Sequence, residues 1–235
     1  NSTLTLGGAS ELSGPTTLNG TGLLRMEGTS TVTANTVVNV ATFDWDGLGT
    51  GTSHTINTGV TFTINSGTLD SDGDMDDPFT LAGAGSQLNV NSAAGLAQWT
   101  VTGTVTANAS GAGTSTIGGT SRMIVAGLMN VDGNTTISAP VTFNGAGLVA
   151  NIDAGKILDV SSSSTTYADG TIDGVGTFDP GTSNTVTGDF TVNSDVFDFD
   201  GGSWTVESGV DFVFNVLDYE PDAATNSFES TINLN

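Results

Sequence analysis

Residues 55–65 read Thr-Ile-Asn-Thr-Gly-Val-Thr-Phe-Thr-Ile-Asn, and this stretch decides the fold. Apolar and polar residues alternate on both sides of Gly59, which is the pattern of two short β-strands joined by a turn. Each strand is apolar on one face only, so that face needs a second layer to cover it. Similar runs recur at 88–91, 210–214 and 231–235. The pattern predicts an all-β protein built from many short strands.

The charge of the chain excludes several classes of partner. Its 235 residues include 25 Asp or Glu and only 3 Lys or Arg, which gives a formal net charge of −22. Nucleic acids and anionic membrane surfaces both require clustered cations, so neither is an expected partner. No apolar run approaches the roughly 18 residues that a membrane-spanning helix needs, and we expect no membrane insertion. The absence of cysteine excludes disulfides and thiolate metal sites.

The chain resembles itself at offsets that decrease from 154 to 144 residues. The matched pairs are 4–6 with 158–160, 17–22 with 171–176, 43–47 with 197–201, 55–62 with 205–212, and 86–91 with 230–235. Residues 1–81 therefore resemble 155–235, which predicts one continuous segment over 1–235 with about one and a half copies of a unit near 150 residues. Because the first residue is Asn1 and the second copy is partial, we expect a processed chain or a piece of a longer tandem array.

A shorter period is marked by turns that contain glycine. These turns are Asn19-Gly20, Asp46-Gly47, Ala82-Gly83, Ser110-Gly111, Asn144-Gly145, Asp173-Gly174 and Asp200-Gly201. They are 27 to 36 residues apart, and each interval has room for three short strands. Such a period cannot bury its apolar face alone but can do so by stacking. The sequence predicts a parallel β-solenoid with coils of about 30 residues and three short strands per coil. Tandem antiparallel β-sandwich domains are the alternative.

The alternating strands, the glycine-marked turns, the internal repeats and the scarcity of Cys and Lys resemble those of bacterial secreted and surface β-solenoid repeat proteins. These include autotransporter passengers and filamentous-haemagglutinin-like adhesins. The resemblance covers the whole chain but has no diagnostic motif. It implies an extracellular or cell-surface location and a fibrous or adhesive role, and it assigns no functional residue.

The densest group of carboxylates is a candidate calcium loop. It consists of Asp70, Asp72, Asp74, Asp76 and Asp77. Oxygen ligands at alternate positions suit Ca²⁺, which takes six to eight of them. The match to an EF-hand loop is imperfect, because Asp77 replaces the glycine at position six and Gly83 replaces the glutamate at position twelve. A solvated acidic loop at a corner of the coil is the alternative.

A second pattern recurs as an Asp-x-Asp-Gly sequence after an aromatic residue. It supplies the weaker candidate metal ligands Asp44, Asp46, Asp198 and Asp200. The alternation of a strand would place both carboxylates of each pair on the outer face, where they could bind cations that bridge neighbouring molecules. The simpler interpretation is that Asp-Gly forms a turn.

Catalytic residues are hard to assemble from this sequence. His54, Arg25 and Lys156 have no counterpart of the same type in the second copy, and a uniformly acidic face would repel an acidic polysaccharide. We therefore expect a noncatalytic, extracellular structural protein of a bacterium, a fibre-forming or fibre-stalk β-solenoid that assembles end to end. The expected partners are further copies of the chain, divalent cations such as calcium, and surface glycans. A cell-surface adhesin stalk or binding module is the alternative, and a polysaccharide-active β-helix enzyme is a remote one.

Overall fold

The protein is an all-β parallel solenoid of about nine turns. The computed structural model describes residues 2–45, 52–69, 74–75, 77–91, 98–107, 113–199, 202–221 and 232–234. All strand pairs in these ranges are parallel, as in the pairing of Thr3–Leu6 with Leu23–Met26. The predicted fold class is confirmed. The sandwich alternative is wrong, because its sheets would require antiparallel neighbours.

Twenty-eight strands follow one another along the described ranges. The first fourteen are β1 (Thr3–Leu6), β2 (Ser10–Leu12), β3 (Thr16–Asn19), β4 (Leu23–Met26), β5 (Ser30–Val32), β6 (Thr36–Asn39), β7 (Thr42–Asp44), β8 (His54–Ile56), β9 (Thr61–Ile64), β10 (Thr68–Leu69), β11 (Asp74–Met75), β12 (Phe79–Leu81), β13 (Gln87–Val90) and β14 (Gln98–Val101). The others are β15 (Val105–Ala107), β16 (Thr114–Gly118), β17 (Arg122–Val125), β18 (Met129–Val131), β19 (Asn134–Ile137), β20 (Val141–Ile152), β21 (Ile157–Val160), β22 (Thr165–Pro180), β23 (Ser183–Val186), β24 (Phe190–Phe199), β25 (Ser203–Val206), β26 (Phe212–Phe214), β27 (Asp218–Pro221) and β28 (Ile232–Leu234).

Successive turns stack their strands on three faces, which we call A, B and C. Face A contains β1, β4, β7, β10, β11, β14, β17, β23 and β25, face B contains β2, β5, β8, β12, β15, β18, β26 and β28, and face C contains β3, β6, β9, β13, β16, β19, β21 and β27. The three long strands pass around corners without a break. β20 runs from face A to face B, β22 runs through all three faces, and β24 runs from face B to face C. Strands β1, β4, β7 and β10 form a separate four-stranded sheet.

The turns are shorter than the glycine spacing predicts. On face B, Ser10 pairs with Ser30 and Ser30 pairs with His54, so these three residues occupy equivalent positions in successive turns. The prediction was too long because the glycine-marked turns lie at different corners. Asn144 lies at the corner between faces A and B, whereas Asp173 lies at the corner between faces B and C of the next turn. The interval between these two residues is therefore one turn and a third.

Corresponding residues in the two copies of the long repeat lie on different faces. Leu4 is on face A while its counterpart Leu158 is on face C, and Leu18 is on face C while its counterpart Ile172 is on face B. The second copy is therefore rotated by one face around the axis of the rod. This placement is possible because all three faces offer similar short, half-apolar strands.

Inward side chains from the three faces form one continuous core. It includes the fully buried aromatic residues Trp45, Trp99, Tyr167 and Trp204. Some corners require glycine, because the chains of neighbouring turns approach each other closely there. Gly28 has a φ of +91°, and a Cβ at this position would lie 2.7 Å from the carbonyl oxygen of Gly8 in the preceding turn.

Candidate functional site

The N-terminal turn, formed by β1, β2 and β3, has its outer edge uncovered. These strands pair with β4, β5 and β6 on one side. On the other side no strand among the described residues pairs with them. Such an edge presents backbone N–H and C=O groups in the pattern that a further parallel strand would use. This edge of the described residues is therefore a template for a further coil, whether of the same chain or of another molecule.

Apolar side chains are exposed at the same end. Leu4 is 54% exposed, and Leu18 is only partly buried against the core. Together with Leu23, Leu24 and Val40 they line a groove of about 590 Å³. The inward residues that follow Leu18 in register on face C, Val38 and Ile64, are fully buried. The groove is the core of the solenoid at the first described turn, where no described strand covers it.

The counterparts in the second copy show what covers such a turn. Leu158 corresponds to Leu4 and is fully buried, since β21 lies under β19 with Thr135 paired to Leu158. Ile172 corresponds to Leu18 and is likewise buried, since Ala150 of β20 pairs with it. The sequence positions are equivalent, so the difference in exposure arises because no described strand covers the first turn.

The C-terminal turn, formed by β25, β26 and β27, is partly covered. Strand β28 pairs with β26 on face B. Strands β25 and β27 pair with β23 and β24 on one side. On their other side the described residues provide no partner strand.

A ladder of asparagines runs up to the open N-terminal turn. Asn39 donates a hydrogen bond from Nδ2 to Oδ1 of Asn19 at 2.9 Å. Asn65 donates in the same way to Asn39, and Asn91 to Asn65, each at 2.8 Å. Stacked amides of this kind help to hold neighbouring turns in register. Asn19 is the first amide of the ladder and lies at the uncovered edge.

A second ladder consists of the carboxylates of Asp159, Asp179 and Asp198 on face C. Asp159 pairs with Asp179. Phe178 pairs with Phe197, which places Asp179 next to Asp198. Neighbouring parallel strands are about 4.8 Å apart, so like charges directly opposite one another raise the free energy of the fold. Thr136 partly offsets this by donating a hydrogen bond to Asp159 at 3.1 Å.

The predicted calcium loop lies mostly outside the described residues. Asp70, Asp72 and Asp76 lie outside them, and Asp74 is described only as part of strand β11. Asp77 is described, and its Oδ2 lies 3.4 Å from Nε2 of His54. Within the described part of the chain, no three His, Asp or Glu side chains form a group that could hold a metal ion. The calcium site stays a prediction.

Two of the four weaker metal candidates, Asp44 and Asp198, lie within the described residues, and they lie on different faces. Asp44 is buried on face A, where Nε of Arg25 donates a hydrogen bond of 2.7 Å to its Oδ2. This hydrogen bond and the charge of Asp44 raise the pKa of Arg25. Asp198 belongs to the carboxylate ladder on face C. Asp46 and Asp200 lie outside the described residues.

The single histidine of the sequence belongs to a polar cluster inside the core, which sequence reasoning missed. Nδ1 of His54 lies 2.7 Å from Oγ of Ser30, and Nε1 of Trp45 donates to the same oxygen at 3.3 Å. Burial lowers the pKa of His54, and the nearby carboxylate of Asp77 opposes this effect. At 3.4 Å the contact between Nε2 of His54 and Asp77 lacks hydrogen-bond geometry, and it is an ion pair only when His54 is protonated.

The order Ser30, His54 and Asp77 resembles that of a hydrolase triad, but its environment does not suit a nucleophile. Both Ser30 and His54 are fully buried, and a nucleophilic oxygen must reach a substrate. The register explains the cluster, since Ser30 and His54 are paired neighbours on face B. We therefore interpret it as an internal polar cluster of the core.

Fold and edges together define the chain as a parallel β-solenoid repeat protein. Comparison with protein-family models, with curated protein sequences and with solved structures finds no match to this chain. Nowhere in the described residues is there a helix long and apolar enough to cross a membrane.

Proposed function

We propose that the protein is a noncatalytic structural module of an extracellular bacterial fibre, which extends by end-to-end stacking of β-solenoid turns. The observation that carries this proposal is the first turn, which no strand of the described residues covers. Leu4 is 54% exposed beside a groove of about 590 Å³, at the edge where β1, β2 and β3 offer their backbone groups. An apolar core surface and an unpaired parallel strand edge at the same place are best covered by a further β-solenoid coil.

The net charge of the chain would make fibre assembly depend on salt and divalent cations. At −22, molecules repel one another in solution, which opposes both end-to-end and lateral association. Salt or divalent cations would screen this repulsion. Their effect should be largest at the carboxylate ladder of face C, where acidic residues lie next to one another. The resemblance to secreted and surface repeat proteins supports the extracellular location.

Electron microscopy combined with sedimentation tests the proposal. We expect filaments with a layer spacing of about 4.8 Å along the axis at physiological salt, and a sedimentation coefficient that rises with protein concentration. Short separate particles at all concentrations would contradict the fibre and favour an adhesin stalk or binding module.

Two matched variants make this test specific. Leu4→Lys places a charge in the open groove and should stop filament growth without unfolding the chain, because the position is 54% exposed. Ile157→Lys changes the net charge equally at a site that is 39% exposed on the side of the rod, and it should still form filaments. Equal behaviour of both variants would exclude the open turn as the assembly surface.

A further inference from the structure

The carboxylate ladder of face C has a counterpart in the first copy of the long repeat. At the offset of 154 residues, the positions that correspond to Asp159, Asp179 and Asp198 are Thr5, Arg25 and Asp44. In the first copy these positions are neighbours in register on face A. In the second copy they are neighbours in register on face C. The two columns are therefore equivalent in structure as well as in sequence.

The two columns differ in charge at their middle position. In the first copy, Nε of Arg25 donates a hydrogen bond of 2.7 Å to Oδ2 of Asp44, whose side chain is only 4% exposed. In the second copy Asp179 stands in the place of this arginine, with a carboxylate on the neighbouring strand at either side. Like charges directly opposite one another raise the free energy of the fold. The second copy thus has a third carboxylate where the first copy has a guanidinium.

A groove of about 170 Å³ opens beside the ladder. Its walls include Asp159 and Asp179, the polar residues Asn134 and Thr136, and the apolar residue Ile157. Ile157 is 39% exposed. The methylene stem of an arginine packs on apolar surface of this kind, while its guanidinium binds carboxylates through parallel hydrogen bonds. The groove therefore offers both surfaces that an arginine side chain uses.

We propose that the carboxylate ladder and this groove are a docking site for arginine side chains of a partner polypeptide. A guanidinium between Asp159 and Asp179 would relieve the repulsion within the ladder, much as Arg25 compensates the charge of Asp44. A metal ion is a poorer occupant, because in the described part of the chain no three His, Asp or Glu side chains form a group that could hold one.

The partner is a polypeptide other than this chain. The sequence contains two arginines and one lysine. Arg25 is bound to Asp44, and the guanidinium of Arg122 donates to the hydroxyl groups of Thr142 and Ser164. Lysine lacks the planar fork that matches a carboxylate, and a second copy with a net charge of −22 would be repelled. The site lies on the side of the rod, so this inference is independent of end-to-end stacking.

Calorimetric titration with a synthetic peptide tests the site. The probe is a short peptide of alternating Arg and Gly with blocked ends, and the control peptide has citrulline in place of arginine, which keeps the shape of the side chain without its charge. At an ionic strength of about 0.15 M, which screens distant charges, we expect the arginine peptide to bind and the citrulline peptide not to bind. Equal binding of the two peptides, or no binding of the arginine peptide, would overturn the proposal.

Two variants with the same change in net charge locate the binding. Asp179→Arg rebuilds the arrangement of the first copy, so it should weaken binding of the arginine peptide about tenfold or more and raise the melting temperature. Asp211→Arg changes an exposed position between β25 and β26, and it should weaken binding no more than about twofold. An equal loss in both variants would show attraction to net charge alone and would overturn the site.

A milder variant and a metal control complete the experiment. Asp179→Asn removes the middle charge without adding a large side chain, so it decides the matter if Asp179→Arg does not fold. It should weaken binding by a smaller factor than Asp179→Arg, and unchanged binding in Asp179→Asn would overturn the proposal. Displacement of the arginine peptide by an equimolar amount of calcium chloride would overturn it in favour of a metal site.

Discussion

Leu4 and Leu158 occupy the same position in the repeated sequence, yet Leu4 is 54% exposed and Leu158 is fully buried. The difference arises because a neighbouring turn covers β21 and none of the described strands covers β1. The apolar residue at this position of the repeat is therefore one that becomes part of the core when a further turn covers it.

The two leucines should respond very differently to truncation. Leu158→Ala should lower the free energy of unfolding by about 2–5 kcal/mol, because it leaves a cavity in the core. Leu4→Ala should cost less than about 1 kcal/mol in the monomer, because little buried surface is lost. Urea denaturation at low protein concentration measures both. Equal costs would show that the first turn is already covered in solution.

The alternation in 55–65 was enough to predict strands, and the repeat was enough to predict stacking in parallel. The turn length was not predictable from glycines, because Asn144 and Asp173 mark different corners. The carboxylate ladder was missed for the same reason. Asp159, Asp179 and Asp198 follow one another at nearly equal spacing in the sequence, and only a correct turn length shows that they are neighbours.

Removing one charge from the carboxylate ladder should raise the free energy of unfolding by a measurable amount. Asp179→Asn removes a charge that lies between Asp159 and Asp198, so it should stabilise the fold by about 0.5 kcal/mol at low ionic strength. The gain should fall as salt is added, because salt screens exposed charges. Asp195→Asn, which lies outside the ladder, is the matched control and should gain less. A gain that is independent of salt would exclude electrostatic repulsion as its cause.

The two residues of the ion pair on face A should differ in how much their replacement destabilises the fold. The side chain of Asp44 is 4% exposed and that of Arg25 is 29% exposed. Arg25→Met leaves the buried carboxylate of Asp44 without the guanidinium that donates to it, so it should destabilise the fold. Asp44→Asn leaves a cation that can still reach water, so it should destabilise the fold less. Thermal and urea unfolding of both variants measure the difference, and a larger cost for Asp44→Asn would contradict this account.

Burial of His54 should make the fold sensitive to acid. Because burial lowers the pKa of His54, the unfolded chain binds a proton more readily than the folded chain. The contribution of neutral His54 is therefore present above its ordinary pKa of about 6.5 and is lost as the pH falls below it. The free energy of unfolding should decrease between pH 7 and pH 5 by more in the parent chain than in His54→Gln. Parallel pH profiles for the two proteins would show that His54 does not titrate on unfolding.

Calcium binding by the loop at 70–77 is tested most directly by removing calcium with a chelator. If Asp70, Asp72, Asp74, Asp76 and Asp77 hold Ca²⁺, a chelator should lower the melting temperature and added Ca²⁺ should restore it, because a ligand that binds only the folded state stabilises it. Added Mg²⁺ should restore less, because it demands a tighter octahedral site. Asp72→Asn with Asp74→Asn should remove the response, whereas Asp169→Asn on the second copy should keep it. A melting curve that is the same with chelator, Ca²⁺ and Mg²⁺ would rule the site out, and the carboxylates would then act only as a solvated corner of the solenoid.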